Sequence, residues 1–357
     1  LAELLYKQGA EVTGSDVCET FYTDTVLREL GIPFYEGFSG DQVPSSADLV
    51  VYSAAYDPET HPEIVAAKKL QLPLLSYNET LGFLSSHSFF CGVAGVHGKT
   101  TTTAMIATIL KETNLRASVL VGSAVANLNN RSTLVKGTDF FVAETCEYKR
   151  HFLVFRPNIL VVTSIEPDHL DYYRDLDDIF SAFVEYAELL SAGGTLIYCA
   201  DDTGARLLAD SIRKKRSDIH FLPYGVSAEG RFRITNVKES VGHTTFTVEG
   251  IDAEFDVRIP GKHSVLNAAA AVATVSLLLQ TVDRDMSGTR ADATEGVTEE
   301  TSSDCTAVAT PGTRAGDTAG GTEGTTPGTT AGGTDGQTAG AAEGVSKGGK
   351  AGTTPDT

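Results

Sequence analysis

The run Gly92-Val93-Ala94-Gly95-Val96-His97-Gly98-Lys99-Thr100-Thr101 places small residues, a lysine and a hydroxyl where an apolar stretch gives way to a helical one. Small residues let backbone N–H groups close around a phosphate, and a helix N-terminus adds the positive end of its dipole. A lysine at 99 reaches the β- and γ-phosphates of such a ligand, and a hydroxyl at 100 can hold Mg2+. The common template, G-x-x-x-x-G-K-[ST], asks for glycine at 93. This chain has Val93 there and carries glycines at 92 and 95. The loop is a variant phosphate-binding turn; the competing reading is a glycine turn followed by an exposed lysine.

Two further clusters have the same design. Phe140-Phe141-Val142-Ala143-Glu144 is an apolar run that delivers a carboxylate at its end, and Val161-Val162-Thr163-Ser164-Ile165-Glu166-Pro167-Asp168-His169 delivers carboxylates and an imidazole. One histidine among oxygen ligands can hold a divalent ion against phosphates. Taken singly, Glu144 can also be read as a solvated loop acid, and a lone histidine near a strand end, as His169 is, is usually structural. Strand ends carrying Lys/Thr, Glu and His at one sheet edge match the place where open α/β sheets bind ligands.

Such positioning requires parallel strands, and the chain alternates strand and helix signals. A helix ending near Gly9, strands at 10–13, 47–52 and 72–76, and helices at 23–30 and 61–69 make a small α/β unit over residues 1–87. A second unit, residues 88–281, is expected to have strands at 89–94, 118–121, 140–143, 159–163 and 195–199. Its helices are expected at 100–112, 176–190 and 264–279, with an antiparallel segment at 231–259. Residues 282–357 are rich in Gly, Thr and Ala with almost no large apolar side chain, and read as disordered.

The net charge of −19 argues against non-specific nucleic-acid binding, which relies on Lys and Arg. Positive charge for a phosphate ligand must therefore be local. Cys18, Cys91, Cys146, Cys199 and Cys305 form no zinc or redox pair and fit a reducing cytoplasm. No signal peptide and no obvious membrane span is read, and oligomeric state is unreadable.

Four segments, in this order and spacing, resemble the Mur ligases: 95–102 around Gly98-Lys99-Thr100, Ala143-Glu144-Thr145-Cys146-Glu147-Tyr148, Asp168-His169-Leu170-Asp171, and Gly261-Lys262-His263-Ser264-Val265-Leu266-Asn267-Ala268. The stretch 146–153 resembles the alanine-adding branch. The resemblance spans about residues 1–279. It implies a Rossmann-like N-terminal domain for a UDP-sugar, touching Ser15, Asp16, Ser53 and Ala54, and a P-loop-type central domain. It further implies ATP at Gly95, Val96, His97, Gly98, Lys99, Thr100, Thr101 and Asn267, and Mg2+ at Thr100, Glu144 and His169, with Lys99, Glu144 and His169 catalytic. The implied reaction joins L-alanine to UDP-N-acetylmuramate through an acyl phosphate made from ATP, in peptidoglycan precursor synthesis.

Ser164 and Ser264 stand where relatives often carry Asn, and helix 176–190 offers no lysine of the kind some relatives carbamylate, which fits the alanine-adding branch. The resemblance also places a Gly-rich turn before Leu1 and a further domain after 279, so little ligase activity is expected of this chain. Alternatives are a recycling ligase that adds a peptide, a non-catalytic nucleotide-binding remnant, a plain P-loop phosphohydrolase or kinase, and a folate-polyglutamate ligase. The last leaves residues 1–87 unexplained.

Overall fold

Short apolar strands and the helices between them organise the beginning of the chain. α1 (Ala2–Lys7), β1 (Gly14–Asp16), α2 (Tyr22–Leu30), β2 (Phe34–Glu36), β3 (Val50–Tyr52), α3 (Pro62–Lys69), β4 (Leu74–Ser76) and α4 (Tyr77–Ser86) follow in order. α2 closes at Gly31, whose left-handed φ of 68° ends the helix. α4 opens on a reciprocal cap in which the Ser76 hydroxyl accepts from Glu79 N and Glu79 accepts from Ser76 N. The parallel sheet expected here is present as two separate parallel pairs, β1 with β2 and β3 with β4. β1 lies at 14–16 rather than 10–13, because its register is set by pairing Gly14 with Phe34.

The chain continues through β5 (Phe89–Ala94), α5 (Lys99–Lys111), β6 (Ala117–Val125), β7 (Arg131–Val135), β8 (Phe140–Glu144), β9 (Ile159–Val162), α6 (Leu176–Glu188), β10 (Thr195–Cys199), α7 (Thr203–Lys215) and β11 (His220–Tyr224). β12 (Ile234–Ser240), β13 (His243–Val248), β14 (Ile251–Val257) and α8 (Lys262–Ala291) complete it. This computed structural model describes residues 1–259 and 261–291, the side chains of 283–291 excepted. The expected disordered tail, 282–357, falls outside the described residues from 292 onward, and its first ten residues belong to α8.

Seven strands form the main sheet in the order β11-β10-β9-β5-β8-β6-β7, all neighbours parallel except β6 and β7. The central strands are apolar on both faces because helices cover both. Phe90, Cys91, Val93, Val142, Leu160, Val161 and Val162 are all fully buried. Each such large side chain contributes about 1.5–3 kcal/mol by leaving water. α6 and α7 bury Phe183, Tyr186, Leu208 and Ile212, while α8 packs against α5 and β9 to β11. β12, β13 and β14 make the expected antiparallel sheet.

By length and composition Lys262–Val282 of α8 could cross a membrane. Its Ala269, Ala270, Ala271, Ala273 and Leu278 are instead fully buried in the core of this fold.

The two parts are joined by an ionic network centred on the buried Glu3. Arg131 of β7 reaches Glu3 of α1 at 2.7 Å and Glu29 of α2 at 2.8 Å; Lys7 and the Thr133 hydroxyl also bond Glu3. Burial works to raise the Glu3 carboxyl, but the hydrogen bonds from Lys7, Thr133 and Arg131, with the charge of Lys7, outweigh it and hold the group below its ordinary value.

Candidate functional site

β9, β5 and β8 are adjacent and parallel, so their C-terminal ends open onto one rim. The turn from β5 to α5 lies between the other two. Gly95 and Gly98 take φ of 133° and 85°, and a β-carbon at either would lie within 2.4 Å of a neighbour, Thr163 Oγ1 or Asn267 Oδ1. Only glycine fits both the backbone and the space. The loop is laced to the segment after β9: Val96 N donates to Ser164 O, His97 N to Ser164 Oγ at 3.0 Å, and Thr163 Oγ1 to His97 O at 2.5 Å. Ser164, noted above as a departure, thus anchors the loop. α5 begins on Gly98 with no side-chain cap, leaving its first N–H groups directed to the rim. The apolar strand, variant loop and helix follow as the sequence predicts; Val93 lies inside β5, fully buried.

Two carboxylates divide the site. Glu144, at the end of β8, accepts from the Thr100 hydroxyl at 2.8 Å and from Gly122 N of β6. Glu147, three residues on and 1% exposed, accepts from Lys99 Nζ at 3.0 and 3.1 Å. His169 Nε2 lies 3.6 Å from Glu147 Oε1 and 3.8 Å from Asp168 Oδ2. One ligand atom from each of Glu147, Asp168 and His169 can be chosen so that all three lie within 4.8 Å of one another, a spacing that one cation can span. Lys99, Thr100, Glu144 and His169 thus lie at one rim, with Glu147 linking the lysine to the histidine.

The remaining ATP candidates are less directly engaged. His97 is exposed, with Nε2 3.9 Å from Glu166. Thr101 is half-buried in the first turn of α5. Asn267, on α8, accepts from Thr102 Oγ1 at 3.3 Å and faces Gly98, which puts it beside the loop. Ser264 is buried at the start of α8.

The candidates for the UDP end lie at the ends of β1 and β3. Ser15 Oγ donates to Glu63 of α3, Asp16 accepts from Val17 N, and Ser53 Oγ accepts from Ala55 N at 3.2 Å in the turn that contains Ala54. No hydrogen bond joins the two pairs among the described residues.

Sequence reasoning missed several contributors. Glu147 lies on an irregular turn, and although it falls inside the segment 143–148 that carries the resemblance, no role was assigned to it. Tyr148 packs its ring 4.8 Å from His169 and donates to Asp171 at 2.9 Å. Tyr77 opens α4 near Glu144; burial first, then Glu144 and Tyr22, push its hydroxyl up to about 12. Backbone strain marks the same place, with Lys149, Arg150 and His169 at φ of 52°, 58° and 49°. Arg150 is held there by Glu185 and Asp178. Cys18, Cys91, Cys146 and Cys199 are free thiols.

The family model described as the Mur ligase middle domain matches residues 93–275, and that described as the Mur ligase family, catalytic domain, matches residues 1–89. The UDP-N-acetylmuramate–L-alanine ligase of Treponema pallidum (strain Nichols) is 46% identical over 280 residues, which cover 78% of this chain and 58% of that protein. The enzyme of the same name from Borreliella afzelii is 37% identical over 283 residues, covering 78% and 60%. The chain thus spans 58–60% of the length of these relatives. Among solved structures, the Neisseria UDP-N-acetylmuramate:L-alanyl-γ-D-glutamyl-meso-diaminopimelate ligase is similar at a TM-score of 0.65 and 26% identity, covering 77% of this chain and 88% of that one. The UDP-N-acetylmuramate–alanine ligase of Thermotoga maritima is similar at 0.62 and 28%, covering 78% and 61%.

Proposed function

The chain belongs to the Mur ligase family, and from that premise we propose that it carries the ATP-binding and carboxylate-activating site for joining L-alanine to UDP-N-acetylmuramate in cytoplasmic peptidoglycan precursor synthesis. The observation that carries this reading is the convergence of Lys99, Thr100, Glu144, Glu147 and His169 at the ends of β5, β8 and β9. The reaction needs two anions, ATP and a carboxylate, to meet. The N-terminus of α5 and Lys99 supply local positive charge in a chain of net charge −19.

The donor set fits Mg2+: a hydroxyl hydrogen-bonded to a carboxylate, and a second oxygen-rich group with one imidazole. Thr100 and Glu144 would hold one ion and His169, with Glu147 and Asp168, another. Bound there, the metal would neutralise phosphate and carboxylate oxygens. Gly95 and Gly98 would let the phosphates approach the backbone, and Asn267, beside Gly98, would lie near the adenine. Ser15, Asp16, Ser53 and Ala54 serve the UDP end. The γ-phosphoryl group passes to the lactyl carboxylate, and the amine then displaces phosphate to form the amide.

Titration of the 357-residue chain with MgATP tests the nucleotide half of this reading. Lys99→Ala is expected to lose binding; equal binding by that variant sinks the assignment. Phosphate release stimulated by L-alanine is expected to be slight from this chain alone, and robust release would overturn that expectation. A peptide-adding activity is the second reading, supported by the likeness to the Neisseria ligase. The alanine reading is preferred on the 46% identity to the Treponema enzyme. Whichever amine stimulates the release that remains separates them.

A further inference from the structure

The Lys99 ammonium has three hydrogens and four acceptors in reach: Gly95 O at 2.6 Å, Val96 O at 3.4 Å, and Glu147 Oε1 and Oε2 at 3.1 and 3.0 Å. Its bonding capacity is filled by its own loop and by one carboxylate. To bond a phosphate it must release at least one of these acceptors, and Glu147 takes two of the four contacts and is the one side-chain partner among them.

Glu147 cannot follow it to water. The residue is 1% exposed, and its backbone carbonyl accepts from the buried Tyr173 hydroxyl and from Arg150 N at 2.9 Å. Loss of the lysine would leave a buried carboxylate unpaired beside a polyanionic group, a strongly unfavourable arrangement. A positive charge can replace it from the other side. His169 Nε2 lies 3.6 Å from Oε1, and Asp168 completes the cluster whose ligand atoms fall within 4.8 Å of one another. The Thr100–Glu144 pair is separate from this exchange.

We propose that Glu147 makes capture of the triphosphate by Lys99 conditional on a divalent cation, which takes over the carboxylate as the lysine leaves it. The inference rests on the nucleotide-binding reading above and adds to it a positioning residue that acts through Lys99. Because the coupling is a free energy shared by two ligands, the cation tightens the nucleotide and the nucleotide tightens the cation at this carboxylate.

The test is ATP binding to the full chain, by calorimetry, in chelator and in Mg2+. Glu147→Gln is expected to bind cation-free ATP roughly tenfold or more tightly than wild type and to gain less from Mg2+. Glu144→Gln and Asp168→Asn remove the same charge nearby without touching the lysine, and their gain is expected to be smaller. An unchanged cation-free affinity for Glu147→Gln overturns the proposal, and so does an equal gain in all three variants. A wild-type measurement covers the case in which Glu147→Gln fails to fold. Mg2+ alone is expected to raise acetylation of Lys99 by acetic anhydride, read by mass spectrometry, and unchanged protection overturns the proposal. Should MgATP bind while Lys99 protection is indifferent to Mg2+, only this inference falls. Should no form bind MgATP, the nucleotide reading falls with it.

Discussion

Gly98 sets both the start of α5 and the room for Asn267. Its φ of 85° costs an L-residue about 1–2 kcal/mol, and an added β-carbon would come within 2.4 Å of Asn267 Oδ1. Gly98→Ala is therefore expected to lower stability to urea by about 1–2 kcal/mol and to weaken ATP binding by roughly tenfold or more, since each 1.4 kcal/mol lost from binding is tenfold. Unfolding curves and ATP titrations on the same preparation check both. An unaffected affinity would mean that the Asn267 side of the loop does not meet the nucleotide. Lys99, Thr100, Glu144 and His169 could be singled out as candidates because each follows or ends an apolar run, while their roles came from the family resemblance. Glu147 could not. It sits on an irregular turn where no periodicity applies, and its pairing with Lys99 exists only because β5 and β8 are neighbours.

At the scale of elements, α1 is fixed to β7 by Glu3 rather than by a long apolar face; only Leu4 and Glu3 of that helix are buried. The Glu3 carboxyl is held below its ordinary value in the folded protein. The stability it contributes is thus fully present above the ordinary carboxylate value and is lost as pH falls through the lower folded value. Urea midpoints measured from neutral to acid pH are expected to fall more steeply for wild type than for Glu3→Gln, with the two curves converging at the acid end. Parallel curves would mean that the network does not couple to folding. Elements with strong local signals were legible: Phe89–Ala94 and Thr195–Cys199 appear where their apolar runs place them. β11 was not, because it is an edge strand carrying Pro223 and its position depends on pairing with β10. α7 had a readable signal that was passed over: an Asp202 cap and buried positions at 205, 208, 209 and 212. β1 was displaced because a three-residue strand is set by its partner rather than by its own residues.

At the scale of the whole molecule, a chain of net charge −19 must attract a polyanion to a rim where Lys99 and the N-terminus of α5 supply positive charge at contact. The two fields have different ranges. The surface charge acts through water and reaches about 30 Å at 0.01 M salt but about 8 Å at 0.15 M. The loop acts at contact, where Lys99 has a side-chain exposure of 16% and is little screened. Adding monovalent salt at fixed Mg2+ should therefore remove more repulsion than attraction on the approach path. The association rate of ATP, followed by stopped-flow with a fluorescent analogue, is expected to rise between about 0.01 and 0.15 M salt, opposite to the fall seen when a basic surface steers an anion. The dissociation rate, set inside the loop, is expected to change little. A rate that falls with salt would mean that the positive field of the loop extends past the rim and outweighs the rest of the molecule.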